Sequence, residues 1–213
     1  MSTLVGLLVL SRTEVLGLQA LADAGAVGLF AVSFGIAQHV YAPVQAIANP
    51  LTPAIAALRE VSPDRLGAAL LRVLRITTSF VGLVGALAIP LCAFVIPSLY
   101  GDEYRPAVPV LVCLALAAGL SVLSAPLAAF TLARFSAKRL LRINLVALAV
   151  DIVLMLVLIP PFAVWGAVVA NASGAATAWG LLLATEARVH RFGLQRVVMA
   201  LRHRDLPIEG VQF

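Results

Sequence analysis

The ionisable and amide side chains of this chain are few, and many lie inside apolar stretches where each needs a reason. On insertion scales a charged group at membrane depth costs roughly 2.5–3.5 kcal/mol. Arg12 and Glu14 fall inside the first apolar stretch. An arginine there offers a planar fork of donors to phosphate or carboxylate. Both residues are candidates for charged contacts in a water-filled cavity. They are two positions apart, so on a helix they point about 160° away from each other and do not pair easily. Gln38, Gln45 and Asn49 follow at intervals of seven and four residues, which places them on one helical face with Thr52 close by. Such a stripe must face protein or water, either as a cavity lining or as hydrogen bonds to a neighbouring helix. His39 lies off it. Asn144 and Asp151, also seven apart, share a face of a later stretch. Asp151 is the deepest acid and the best candidate for a cation or proton site, with a structural pairing as the alternative. Glu186, near the end of the last stretch, is expected to be solvated.

Other chemistries lack their residues. Cys92 and Cys113 sit in apolar runs without metal-ligand spacing and read as small buried hydrophobes. There is no Walker A sequence, no G-x-S-x-G, no H-E-x-x-H and no acid-rich motif of the kind that integral lipid-modifying enzymes use to hold metals. The expectation is a carrier and not an enzyme, with no catalytic residue, metal ligand or cofactor.

The elements that position these groups follow from composition. Of 213 residues, 62% are hydrophobic and 12% charged, where a soluble domain carries about 25% charged. So little charge cannot cover a water-facing surface, and membrane lipid must face most of the chain. Six apolar stretches run over about 1–20, 26–58, 66–98, 106–133, 139–159 and 163–189. Continuous apolar runs satisfy their backbone in lipid only as helices, so the fold class is an all-α membrane protein of six transmembrane helices. The longest stretches exceed a bilayer core of about 30 Å, and the prolines within them (Pro43, Pro50 and Pro53 in the second) suggest bends. In the sixth, Gly166, Ala170, Gly174 and Ala178 recur every four residues, a small-residue ridge for close helix packing, with Asn171 and Thr177 available for hydrogen bonds.

Thirteen of the 15 Lys and Arg residues fall in or beside three gaps: Arg59, Arg65, Arg72 and Arg75; Arg134, Lys138, Arg139 and Arg142; and Arg188, Arg191, Arg196, Arg202 and Arg204. The positive-inside rule then puts this face, and both chain ends, in the cytoplasm. The net charge of +5 is a topology signal and implies no nucleic acid, because the basic groups lack interleaved aromatics. Residues 1–10 lack a basic region and cleavage site, so they read as part of a span and not as a signal peptide.

The order of several short motifs then carries a resemblance. Arg12-Thr13-Glu14 is followed by Ala26-Val27-Gly28-Leu29-Phe30-Ala31-Val32, by Ala46-Ile47-Ala48-Asn49-Pro50-Leu51-Thr52-Pro53, and by Ile96-Pro97-Ser98-Leu99-Tyr100-Gly101-Asp102-Glu103-Tyr104. Leu158-Ile159-Pro160 then precedes Trp165-Gly166-Ala167. This resembles the C-terminal half of polysaccharide and lipid-linked oligosaccharide flippases of the multidrug/oligosaccharidyl-lipid/polysaccharide superfamily. The resemblance implies a two-bundle transporter fold around a central cavity, in which residues 1–190 form the C-terminal six-helix lobe and 191–213 a basic cytoplasmic tail. It implies a further, N-terminal six-helix bundle as partner and a polyprenyl pyrophosphate sugar as substrate in the cytoplasmic membrane. The expected substrate contacts are Arg12, Glu14, Gln38, Gln45 and Asn49, and Asp151 with Asn144 is the expected coupling pair. Two alternatives remain: a cation-coupled multidrug exporter of the same superfamily, and a non-transporting subunit that docks a glycan-assembly complex.

Overall fold

The computed structural model describes residues 13–43, 51–62, 65–135 and 137–190. Arg12, Gln45, Asn49 and the tail from 191 lie outside the described residues, as does the side chain of Thr52. The described residues are helical almost throughout: α1 (Thr13–Leu21), α2 (Ala24–Val40), α3 (Leu51–Val61), α4 (Leu66–Tyr100), α5 (Ala107–Arg134), α6 (Ala137–Phe162) and α7 (Val164–His190). Four of them, α4 to α7, are long and apolar enough to cross a membrane. The chain is an all-α, multi-pass membrane protein, and these four helices match the last four expected spans to within three residues at each end.

The first two expected spans differ. Nine residues of the first are described as α1. The second is not one helix: α2 stops at Val40, with a turn at Tyr41, and α3 is described over Leu51–Val61. Pro43 has no N–H to offer the carbonyl of His39, four residues back. That carbonyl accepts from the N–H of Tyr41 instead, which turns out of the helix. A hydropathy profile does not register this break, because the residues on both sides are apolar.

Local chemistry sets the remaining boundaries. Asp23 caps α2, its carboxylate accepting from the N–H of Ala26 at 3.1 Å. Gly101 ends α4 at φ 92°, a conformation open to glycine, and its N–H bonds Pro97 O. A 3-10 turn, Asp102–Tyr104, follows, pinned by an exposed Arg105–Asp102 ion pair at 2.9 Å. Between α6 and α7 the chain reverses at Ala163, φ 46°. The reversal is tight enough that a β-carbon at Gly166 would collide with the backbone of Leu158.

Consecutive long helices run antiparallel, so α5 and α7 run in the same direction. The pairing of α6 with α7 is the most extensive, and α5 lies against α7, α4 and α2. The small-residue ridge of α7 is what brings α6 close. A β-carbon on Gly174 would lie 3.0 Å from Asp151 Cβ and 3.5 Å from Ala147 O. Two apolar clusters form the core. One joins Leu18, Phe30, Leu111, Ile159 and Val168 around α1, α2, α5, α6 and α7. The other, at the end where the arginines collect, joins Ile55, Leu70, Phe130, Ile143 and Leu182. Outside both, α4 turns Leu83, Leu87, Leu91 and Phe94 outward. Those side chains suit lipid or another apolar partner.

Candidate functional site

Three polar side chains meet between the two clusters. Glu14 in α1 is 5% exposed and Asp151 in α6 is 8% exposed. The Asn171 amide in α7 donates to Glu14 Oε1 at 2.6 Å. The Glu14 carboxylate lies close enough to act electrostatically on Asp151. Asp151 Oδ1 is buried and has no hydrogen-bond partner among the described residues.

Each element places its group for a legible reason. Asp151 stands eleven positions before Phe162, about 16 Å of helix from that end of α6. It lies beside Gly174 because the ridge on α7 leaves room for its Cβ. Asn171 sits one turn of α7 before Gly174. Glu14 is delivered by the turn at Ala22 and Asp23, which folds α1 back against α6. Gly17, three residues on from Glu14, receives the Met155 side chain, and that contact locks α1 over α6 one turn beyond Asp151.

The arrangement regroups the residues expected from sequence. Glu14 lies near Asp151. Asn144 is exposed, and its side chain takes no part in the cluster. Seven residues turn about 700°, which keeps Asn144 near the azimuth of Asp151 but about 10 Å along the helix from it. Gln38 is exposed on α2, and Gln45 and Asn49 lie outside the described residues. Asn171, expected to add a hydrogen bond within the packed ridge, makes one to Glu14 in the site. Thr177 returns its hydroxyl to Ser173 O in its own helix. Among the described residues, no three or more His, Cys, Asp and Glu side chains gather as a multidentate metal site would require.

A second polar cluster corrects an expectation. Glu186 is not solvated: it is 1% exposed, and its Oε1 accepts from Thr131 Oγ1 at 2.9 Å. It stands one turn after Leu182 on the face of α7 that packs into the core, and Arg134 and Arg139 lie close enough to act on its charge. Nearby, the Arg59 guanidinium of α3 donates to Ala133 O at the end of α5, and Arg139 stacks over Phe135 at 4.3 Å. The sequence signal was available. An acid four residues beyond a core leucine, on a helix with few charges, shares that leucine's face.

Chemically, the Glu14–Asp151–Asn171 cluster is two acids and an amide in a water-poor environment. Two negative charges there are costly without a compensating positive charge, so the cluster can hold a proton or a small cation between its oxygens. Compared with family models, with curated proteins and with solved structures, the chain finds no match.

Proposed function

We propose that this chain is the C-terminal lobe of a two-bundle carrier that moves a lipid-linked oligosaccharide across the cytoplasmic membrane, and that Glu14 and Asp151 bind the coupling proton or cation. The observation that carries the reading is the buried acid pair at mid-depth, with one Asp151 oxygen unsatisfied among the described residues. A structural acid is expected to have its oxygens bonded or its charge offset by nearby cations, as Arg134 and Arg139 do for Glu186; the charged neighbour of Asp151 is another acid. The bare oxygen is an acceptor kept open for a charge that comes and goes. Alternating access loads and unloads such a site by moving helices against each other.

The substrate class rests on the motif resemblance, supported by the four apolar spans and by Arg12, whose fork suits a pyrophosphate. The remaining two apolar stretches of the lobe contain α1, α2 and α3. Basic ends in the cytoplasm follow from the charge bias.

The test is complementation of a strain lacking its oligosaccharide flippase, with the partner bundle supplied. Asp151→Asn and Glu14→Gln should each reduce surface polysaccharide by about tenfold or more, the scale of losing one charge-dependent step, at unchanged membrane abundance. Surface polysaccharide at the unsubstituted level with Asp151→Asn would refute the coupling role.

A further inference from the structure

Facing outward on α4 is a continuous feature that the transport reading does not use. At 100° per residue, Arg72, Arg75, Ser79, Gly82, Ala86 and Ile89 fall within about one third of the helix circumference. They therefore form a stripe along α4. At its basic end, Arg72, Arg75 and Ser79, with Ile76 and Phe80, line a shallow hollow of about 290 Å³. Further along, Gly82, Gly85, Ala86 and Ile89 form one wall of a groove of about 520 Å³, and Leu116, Gly119 and Leu123 of α5 form the other.

Glycine makes the groove. Tyr41 fills the crevice between α4 and α5 from behind, with its hydroxyl 2.8 Å from where a β-carbon of Gly85 would stand and 3.2 Å from that of Gly119. The ring forms the floor. Gly82, by contrast, has no atom within 4 Å of the corresponding point. It opens directly into the groove.

Helix length sets the depth of the stripe. α4 has 35 residues, about 52 Å of helix against a hydrocarbon core of about 30 Å. With the Gly101 turn at one membrane surface, the excess length brings Arg72 and Arg75 to the opposite interface, where lipid phosphates lie. The groove then runs from that interface into the hydrocarbon.

We infer that this stripe is a binding site for an anionic lipid, its phosphate held by Arg72, Arg75 and Ser79 and one hydrocarbon chain lying in the groove along Gly82, Gly85 and Ala86. Charge complementarity selects the occupant. Two arginines beside a hydroxyl suit a phosphate that bears net negative charge, and the apolar groove beginning one turn away suits the tail of the same molecule. The inference requires only that α4 spans the membrane. It holds whether or not the protein carries an oligosaccharide.

The experiment is native mass spectrometry of the purified full chain released from nanodiscs that mix dioleoyl phosphatidylglycerol and dioleoyl phosphatidylcholine. The expected result is one retained phosphatidylglycerol per chain in preference to phosphatidylcholine. Arg72→Gln with Arg75→Gln should lower that preference by about tenfold or more, since each basic group near the surface adds a comparable factor. Gly82→Leu, which enters open space and improves helix propensity, should lower retention of phosphatidylglycerol while leaving the chain folded. Lys138→Gln with Arg142→Gln, a control of equal charge at exposed positions of α6, should change nothing. Unchanged retention in both the arginine and the Gly82 variants would overturn the site. An equal loss in the control would show general charge attraction in its place, and displacement by inorganic phosphate alone would show an anion site without a lipid tail. Either result also overturns it.

Discussion

At the scale of single residues, the buried polar groups differ in how their charge and hydrogen bonds are met. Glu14 has Asn171, and Glu186 has Thr131 on one oxygen with Arg134 and Arg139 acting on its charge. Asp151 keeps one buried oxygen bare among the described residues. The two kinds of acid should respond differently to neutralisation. Removing an unsatisfied charge relieves a desolvation cost, whereas removing the donor from a satisfied one exposes that cost. Asp151→Asn should therefore leave the melting temperature in detergent unchanged or raised. Asn171→Leu, which strips Glu14 of its donor, should destabilise by about 1–3 kcal/mol. If Asp151→Asn is the more destabilising of the two, Asp151 is a structural acid with a partner. Sequence alone identified Asp151 as the deepest acid and Glu14 as an anomalous charge. It did not pair them, because 137 positions separate them and helical periodicity describes a face without naming its neighbour.

At the scale of elements, the last four helices were legible because long apolar runs between charged ends admit few alternatives. The ridge at Gly166, Ala170 and Gly174 was legible for the same kind of reason: its spacing matches one face of a helix, and that face meets α6. The break after Val40 was not legible, since it depends on one missing N–H at Pro43 inside an apolar run. The burial of Glu186 was missed because its position near a basic end suggested water, while its register with Leu182 pointed to the core. The α6–α7 hairpin carries the sharpest element-level prediction. Gly166→Ala puts a β-carbon into the Leu158 backbone, where no side chain can swing away. Forcing that contact should cost about 1–3 kcal/mol, the usual range for overpacking. Gly180→Ala, which meets open space, should be neutral or slightly stabilising. Thermal unfolding of the two variants in one detergent makes the comparison. Equal melting temperatures would mean that the hairpin is looser than described.

At the scale of the whole molecule, charge is the organising feature. The ends of α5 and α7 and the beginnings of α4 and α6 collect the arginines, and the opposite ends carry the Asp102–Arg105 turn. With the basic end inside the cell, a cysteine at Asp102 should react with a membrane-impermeant maleimide in intact cells, and one at Lys138 should react only after permeabilisation. The reverse pattern would invert the topology. In the same frame the acid pair lies mid-membrane, the lipid stripe follows the outer face of α4, and the two share no residue, so substitutions at one should leave the other unaffected.

The central claim is that Glu14 and Asp151 bind a positive charge whose movement drives transport. The most direct measurement is the current across a solid-supported membrane bearing proteoliposomes of the full chain with its partner bundle and lipid-linked oligosaccharide, after a jump in proton or sodium concentration. A transient current is predicted for the unsubstituted protein with one of the two ions, and its loss in Asp151→Asn at equal reconstitution. A current of the same size and ion dependence in Asp151→Asn would contradict the account.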